Sequence, residues 1–238
     1  MSAPAGGPAG GVPAPAAVAV DVAVFTVRDG TLRVLLAQAR SGPFAGWWAL
    51  PGGRVGEEES LDEAAARELP APAPVRDVYL EQLYTFGHPR RDPRGRVVSV
   101  AYVGLVADAG DVTGTAAAGK YGGKCGVKYA TVAWHPASRL PRLAYDHAAV
   151  VRLAVTRLRA KLQYTNLVYT LLPRTFTLRE LQGLYEAILG RALDRRNFRR
   201  RVLSLGLLRP LGRLRRGAHR PAALYAFRTR RPMIVTIL

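Results

Sequence analysis

Residues 48 to 69 read Trp48-Ala49-Leu50-Pro51-Gly52-Gly53-Arg54-Val55-Gly56-Glu57-Glu58-Glu59-Ser60-Leu61-Asp62-Glu63-Ala64-Ala65-Ala66-Arg67-Glu68-Leu69, and the fold of the first half of the chain turns on them. Pro51-Gly52-Gly53 makes a loop. Ser60 and Glu63 have the spacing of a capping box, in which each satisfies a backbone amide that the first helical turn leaves unpaired, so a short helix begins at about Leu61. It must stop early. Pro70, Pro72 and Pro74 follow directly, and proline removes an amide donor and clashes with the preceding turn. Glu59, Glu63 and Arg67 recur at spacings of four. That face admits two readings, one metal site or a set of intrahelical ion pairs and caps worth a few tenths of a kcal/mol each.

On the N-terminal side, Val20, Val22, Val24 and the stretch Leu32 to Leu36 flank Asp29-Gly30, which predicts two strands joined by a tight hairpin. Residues 2 to 17 are nearly all Ala, Pro and Gly, too poor in bulky apolar groups to offset the cost of ordering, and predict a disordered tail over 1–17. On the C-terminal side, strands are expected at Val78 to Phe86 and Val97 to Val106, and Gly114 to Lys128 is expected to be a mobile insertion. Asp146 can cap a long helix to about Leu162, with Val150, Leu153, Ala154 and Leu158 on one side. This helix is expected to open a second domain, giving 18–144 and 145–238.

The formal net charge is +18. Residues 1 to 150 carry 15 Lys and Arg against 14 Asp and Glu, whereas residues 151 to 238 carry 20 against 3. An ordinary solvated surface mixes both signs, so an excess confined to one region points to a polyanion, nucleic acid before an anionic membrane surface. Pro13, Pro15 and Asp21 interrupt the apolar N-terminal run, which excludes a membrane span there. The first basic residue is Arg28, which argues against a secretory leader. The single cysteine, Cys125, rules out an internal disulfide and fits a reducing cytoplasm.

The basic region has a pattern as well as a charge. Thr177 and Glu180 form a second capping box, and the helix behind it places Leu181, Leu184, Tyr185 and Ile188 on one face before Gly190 ends it. Asp194 can cap a second helix from Arg195 to Leu205, so the pair makes a helix-turn-helix. At 100° per residue Phe198, Val202 and Leu205 share the buried side, Arg196 and Arg200 point away from it, and Asn197 and Arg199 lie on the flanks. Guanidinium matches the two major-groove acceptors of guanine and asparagine those of adenine, which makes Arg196 and Arg200 the best groove readers; Arg195 and Arg201 suit phosphates. Leu207 to Phe227 predicts a β-hairpin wing whose tip carries Arg213, Arg215, Arg216, His219 and Arg220. Helix faces that are merely solvated interleave glutamate, yet residues 195 to 231 contain no acid. With Thr177 counted among them, these arginines and Asn197 are the candidate contacts to double-stranded DNA.

Two resemblances follow from these residues. Gly53, Glu59 and Arg67-Glu68-Leu69 are spaced as in the first part of the Nudix signature, and the lead-in from Trp48 to Gly53 is similar too. The stretch Val18 to Leu140 therefore resembles one Nudix domain. The paired glutamates that complete that signature would fall on Ala71 and Pro72, and its glycine on Pro74. The resemblance thus implies a fold without its catalytic metal site, no catalytic residues, no cofactor, and a cleft for a nucleoside-diphosphate compound. Arg40, Phe44, Trp48, Gly53, Arg91, Arg94 and Arg96 are its candidate contacts, arginines for phosphate and aromatics for a base or sugar face. For Trp47 and Trp48 a second reading stays open, a loop packing on the sheet. Taken whole, the chain resembles the Nudix-related transcriptional regulators of the NrtR type. The phrases that carry this are Glu81-Gln82-Leu83, Arg91 to Arg96, Tyr145-Asp146-His147, Phe176-Thr177-Leu178 and Asp194 to Arg200. The resemblance implies an α/β fold, an α/β/α sandwich with a mixed sheet, followed by a winged helix-turn-helix. It further implies a homodimeric bacterial repressor of NAD metabolism genes that binds a palindromic operator and senses ADP-ribose or a related nucleotide. The alternative is an active ADP-ribose pyrophosphatase with a DNA-binding appendage.

Overall fold

Strand β1 (Ala17–Arg28) is apolar on both faces through its middle and is buried there on both, as a central strand must be. It turns through Asp29 and Gly30, whose φ angles of 51° and 67° are both left-handed, into antiparallel β2 (Thr31–Ala39). Two left-handed residues are what a type I′ turn requires, and its twist matches that of the strands it joins. In this computed structural model, which describes residues 15–69, 78–107, 129–216 and 221–237, β3 (Trp48–Ala49) pairs with β2 and β4 (Gly52–Arg54) with β1. A short helix α1 (Leu61–Arg67) follows, closed by the Ser60–Glu63 capping box. Strand β5 (Tyr79–Phe86) runs antiparallel to β6 (Val97–Leu105), β6 lies parallel to β1, and β7 (Tyr129–Pro136) is antiparallel to β2. The result is a seven-stranded mixed sheet.

The two-residue period of β1 divides the core. Val20, Val22 and Val24 face Ala64 and Ala65 of α1, together with Leu35, Tyr102 and Trp134. Ala23 and Phe25 face the other way, toward Val150, Val151, Ala154 and Leu158 of α2 (His147–Tyr164). Two expectations are corrected here. Helix α2, expected to open the second domain, packs on the sheet through Val150, Val151, Ala154 and Leu158 and completes the sandwich. Asp146 occupies its N-cap position but makes no side-chain cap, because its carboxylate is drawn to Arg91. At the other end the tail was expected to reach residue 17, yet Ala17 already pairs with Val97. Residues 1–14, the expected insertion at 114–128 and residues 217–220 of the wing lie outside the described residues.

A 3₁₀ turn (Leu167–Thr170) leads into β8 (Phe176–Thr177), α3 (Leu178–Leu189), α4 (Arg195–Ser204), β9 (Leu208–Arg215) and β10 (Ala222–Phe227). Gly190 ends α3 at φ 71°, the left-handed conformation that lets a helix stop without strain on a side chain. Strands β8, β10 and β9 form a three-stranded sheet in that order, so the wing is hydrogen-bonded to the residues that open α3. The apolar core runs on without a break from the sheet through α2 to Phe176, Leu181, Tyr185, Phe198 and Val202. The last residues return to the domain junction, where the amides of Val235 and Ile237 donate to the carbonyls of Tyr164 and Gln163 and Ile237 is buried.

Candidate DNA interface and ligand cleft

Asp194 caps α4 by accepting from the Asn197 amide at 2.7 Å, and Phe198 and Val202 anchor the helix to the core. Arg195, Arg196, Asn197, Arg199 and Arg200 all stand on the exposed side. Arg200 Nη2 donates to Asn197 Oδ1 at 3.0 Å, which holds one exposed guanidinium beside an amide. Between the first turn of α3, α4 and the wing lies a cleft of about 830 Å³, with Arg179, Arg195 and Arg199 on its walls. Arg179 was not among the candidates. The signal was present, an exposed arginine in the first turn of the first helix of the pair.

Three candidates on this side have other employment. Thr177 is buried, and its hydroxyl is held within the capping box, donating to Glu180 Oε2 at 2.9 Å and accepting from the Glu180 amide at 3.2 Å. Arg201 donates to the carbonyl of Thr236 at 2.7 Å, tying α4 to the C-terminal segment rather than to a phosphate. Arg215 pairs with Glu180, Nη1 to Oε1 at 2.5 Å, so it braces the wing against α3. Arg213 and Arg216 are exposed; His219 and Arg220 lie outside the described residues. Each acid of the basic region serves as a clip. Glu180 holds the Thr177 amide and Arg215, Glu186 holds the Leu193 amide and Gln182, and Asp194 caps α4. The carboxylates of Glu180 and Glu186 sit below the usual range as a result; at Glu180 burial opposes that shift and the bonds to Thr177 and Arg215 outweigh it. Of these acids, Glu180 pairs with Arg215, and Glu186 lines the same cleft as Arg179, Arg195 and Arg199.

In the sheet domain, Gly52 cannot be another residue, since a Cβ there would stand 2.5 Å from the Val20 carbonyl oxygen. Gly53 pairs with Val20 alongside it. Arg91, expected to bind phosphate, is buried instead. Its Nη2 donates to Asp21 at 2.9 Å and to Asp146 at 2.7 Å, and its Nε to Asp146 at 3.0 Å. Ser99 donates to Asp21 at 2.5 Å, and His147 Nε2 lies 3.2 Å away, while His147 Nδ1 accepts from the Leu50 amide. Burial alone would raise the Asp21 pKa, but His147, Arg91 and Ser99 together hold it well below the carboxylate range. This network fastens β1, the Leu50 loop and the start of α2 to one another.

What converges above it is an aromatic cluster. Phe44 meets Tyr145 edge-on at 4.5 Å and Trp47 at 5.3 Å, Arg142 lies over the Trp47 ring at 3.5 Å, and Arg94 reaches the Tyr145 hydroxyl at 2.9 Å. Tyr145 holds a φ of 54°, a conformation costing an L side chain about 1–2 kcal/mol. Arg142 and Tyr145 are additions to the candidates, and Trp47, weighed with Trp48, joins them here. A backbone outlier such as Tyr145 leaves no mark in composition. Trp48 is half-buried and packs edge-on against His135 at 4.4 Å. Arg96 donates to the Gly87 carbonyl, and Arg40 is exposed.

The α1 carboxylates have taken the ion-pair geometry. Arg67 Nε and Nη2 grip Glu59 at 2.7 and 2.9 Å, which pulls the Glu59 pKa down to about 2. Glu63 is committed to Ser60. Glu68 is buried with Oε1 on Arg67 and, among the described residues, no partner for Oε2.

The NUDIX domain family matches residues 17–154, and the NrtR DNA-binding winged helix domain family matches residues 168–227. The ADPR responsive transcriptional repressor NtrR of Acinetobacter baylyi is 36% identical over 210 residues, 87% of this chain and 80% of that protein. The chain belongs to the NrtR family. Its fold matches the crystal structure of Shewanella oneidensis NrtR complexed with a 27mer DNA, with a TM-score of 0.71 and 35% identity over 89% of this chain and 93% of that one. An ADP-ribose pyrophosphatase of Methanocaldococcus jannaschii is 30% identical over 131 residues, 55% of this chain and 70% of that protein. The NUDIX match ends within α2, which agrees with the packing of that helix on the sheet, and the NrtR winged helix match begins beyond it. No helix among the described residues is long and apolar enough to cross a membrane.

Proposed function

We propose that this NrtR-family chain is a cytoplasmic transcriptional repressor that binds a palindromic DNA operator as a homodimer. Its Nudix domain takes ADP-ribose or a related nucleotide as an effector and does not hydrolyse it. The observation that carries the reading is the outer face of α4, where Arg195, Arg196, Asn197, Arg199 and Arg200 stand exposed on a helix held by Phe198 and Val202. Such a face supplies both the bidentate donors that read bases and the charge that binds phosphates. The relative that responds to ADPR and the relative solved with DNA both cover most of the chain. Since ADP-ribose is a portion of NAD, genes of NAD metabolism are the expected targets.

The residues present do not fit a catalytic divalent-metal centre. Diphosphate cleavage needs several carboxylates on metal to activate water and neutralise the substrate. Here Ala71 and Pro72 carry no ligand atoms, Glu59 is gripped by Arg67 and Glu63 caps a helix. The opposite reading, an active pyrophosphatase with a DNA-binding appendage, has the open oxygen of Glu68 and the 30% identical pyrophosphatase in its favour.

The test is made on the full chain. Fragments of the source genome that the protein retains are sequenced, and the strongest is titrated with and without ADP-ribose. Retention of a palindrome with half-sites about one helical turn or a multiple apart, and a change in its affinity on adding ADP-ribose, are expected. Equal affinity for all fragments, or no response to any nucleoside-diphosphate sugar, would refute the reading.

A further inference from the structure

Between the sheet and the winged helix runs a second cleft, of about 900 Å³, within the size range of small-molecule sites and at the kind of domain boundary where they gather. It touches neither the aromatic cluster nor the exposed face of α4. Its far wall contains Gly183, in the interior of α3. Glycine there weakens a helix relative to alanine, and its other uses do not apply. Gly190 ends the helix with a left-handed φ and Gly30 makes a hairpin, but Gly183 has no positive φ, and a Cβ built on it meets nothing within 4 Å. Packing does not demand this glycine. What the missing side chain leaves is room in the cleft.

The charge on the walls says what would fill it. Arg152 and Arg159 come from α2 and Arg191 from just beyond α3. Arg159 is fixed in place, its Nε donating to the Ile188 carbonyl at 2.9 Å, at the helix end where unpaired carbonyls favour a cation. Among the described residues, the side chains of Arg152 and Arg191 have no hydrogen-bonded or ion-paired partner. One carboxylate stands on the wall, Glu186, whose Oε1 accepts from the Leu193 amide and from Gln182. Three arginines therefore line the cleft against one carboxylate, a local excess of positive charge, while Leu32 and Val155 give it an apolar side. Guanidinium forks match phosphate oxygens, and the apolar wall calls for an organic body behind the phosphate.

We propose that this cleft is a second ligand site, for a phosphorylated organic anion of nucleotide size. The ligand would be held between the sheet domain and the winged helix, so its occupancy biases their relative placement and hence DNA affinity.

The test uses the full chain without DNA and ATP as the probe, followed by calorimetry in the presence of saturating ADP-ribose. One ATP per chain is expected. Gly183→Leu, which fills the cleft, and Arg191→Glu, on the exposed rim, should each weaken ATP at least tenfold while leaving ADP-ribose binding unchanged. Gly183→Ala should raise the Tm and leave ATP binding within about twofold. Because the readout is the difference between variants, it holds whether or not ADP-ribose binds elsewhere. Failure of ATP to bind, or binding indifferent to both Gly183→Leu and Arg191→Glu, would overturn the proposal. So would Arg191→Glu weakening duplex DNA alone, which would assign the cleft to the DNA interface.

Discussion

Replacing Arg215 by glutamine should weaken operator binding, and the cause should be an exposed acid rather than the absence of a phosphate-binding cation. The Arg215–Glu180 pair is close, at 2.5 Å, but its side chains are 45% and 40% exposed, so water screens it and its own worth is at most about 1 kcal/mol. Removing the guanidinium leaves Glu180 bare beside the helix that faces DNA. A penalty of about 1 kcal/mol corresponds to roughly fivefold in Kd. Glu180→Gln isolates the cause, because glutamine still serves a capping box and keeps α3 closed at Thr177. If the bare carboxylate is the fault, the double variant Glu180→Gln/Arg215→Gln should bind nearly as tightly as wild type and more tightly than Arg215→Gln alone. Fluorescence anisotropy on operator and random duplexes across a salt series reads both affinity and slope. Arg213→Gln and Arg216→Gln, by contrast, should each lower the salt slope by about one, since each removes a cation that neutralises one phosphate. The reasoning is refuted if Arg215→Gln weakens binding by the same factor in the Glu180→Gln background and its slope falls by about one there too.

Arg200→Ala should cost about 1–3 kcal/mol on the operator and relax preference at one base pair, with random-duplex affinity nearly unchanged; equal losses on both duplexes would make α4 a mere electrostatic clamp. ADP-ribose with magnesium or manganese should release no AMP above the level of a Glu68→Gln control, and Glu68-dependent turnover seen by chromatography would reinstate the hydrolase reading. Asp21→Ala should destabilise the fold by at most about 3 kcal/mol at neutral pH, because the buried Arg91 keeps only Asp146 while Ser99 and His147 lose their acceptor. The Asp21 pKa lies below its unfolded value, so its contribution is in place above the ordinary carboxylate range and is lost only as pH falls through the folded value. Urea unfolding of the two proteins should therefore differ at pH 7 and converge in strong acid.

What could be read from sequence was whatever is local or periodic. The Asp29-Gly30 hairpin, both capping boxes, the Gly190 stop and the α4 face follow from residues within one turn or one strand of one another. Sequence does not show the intramolecular partners of the arginines where those partners are remote. Arg91 meets Asp21 and Asp146 across 70 and 55 residues, Arg215 meets Glu180 across 35, and Arg201 meets Thr236 across 35. A charge count cannot tell a strut from a DNA ligand. The packing of α2 on the sheet was hidden similarly, since its apolar face has one period whether it covers a sheet or a helix pair. Nothing in the neighbours of Tyr145 signals its left-handed backbone.

The unbroken apolar core and the C-terminal return bear on how far this architecture can be taken apart. Phe176, Leu181 and Tyr185 lie in the same cluster as Phe25 and Val150, and Ile237 seals the seam between α2 and α4. A DNA reader cut out at residue 165 and grafted onto another sensor would carry a raw apolar flank where the sheet and α2 had been. With α4 as the proposed reader, swapping operator specificity in this chain becomes a matter of rewriting the outer face of that helix in place, with the seam left untouched, rather than of exchanging cassettes.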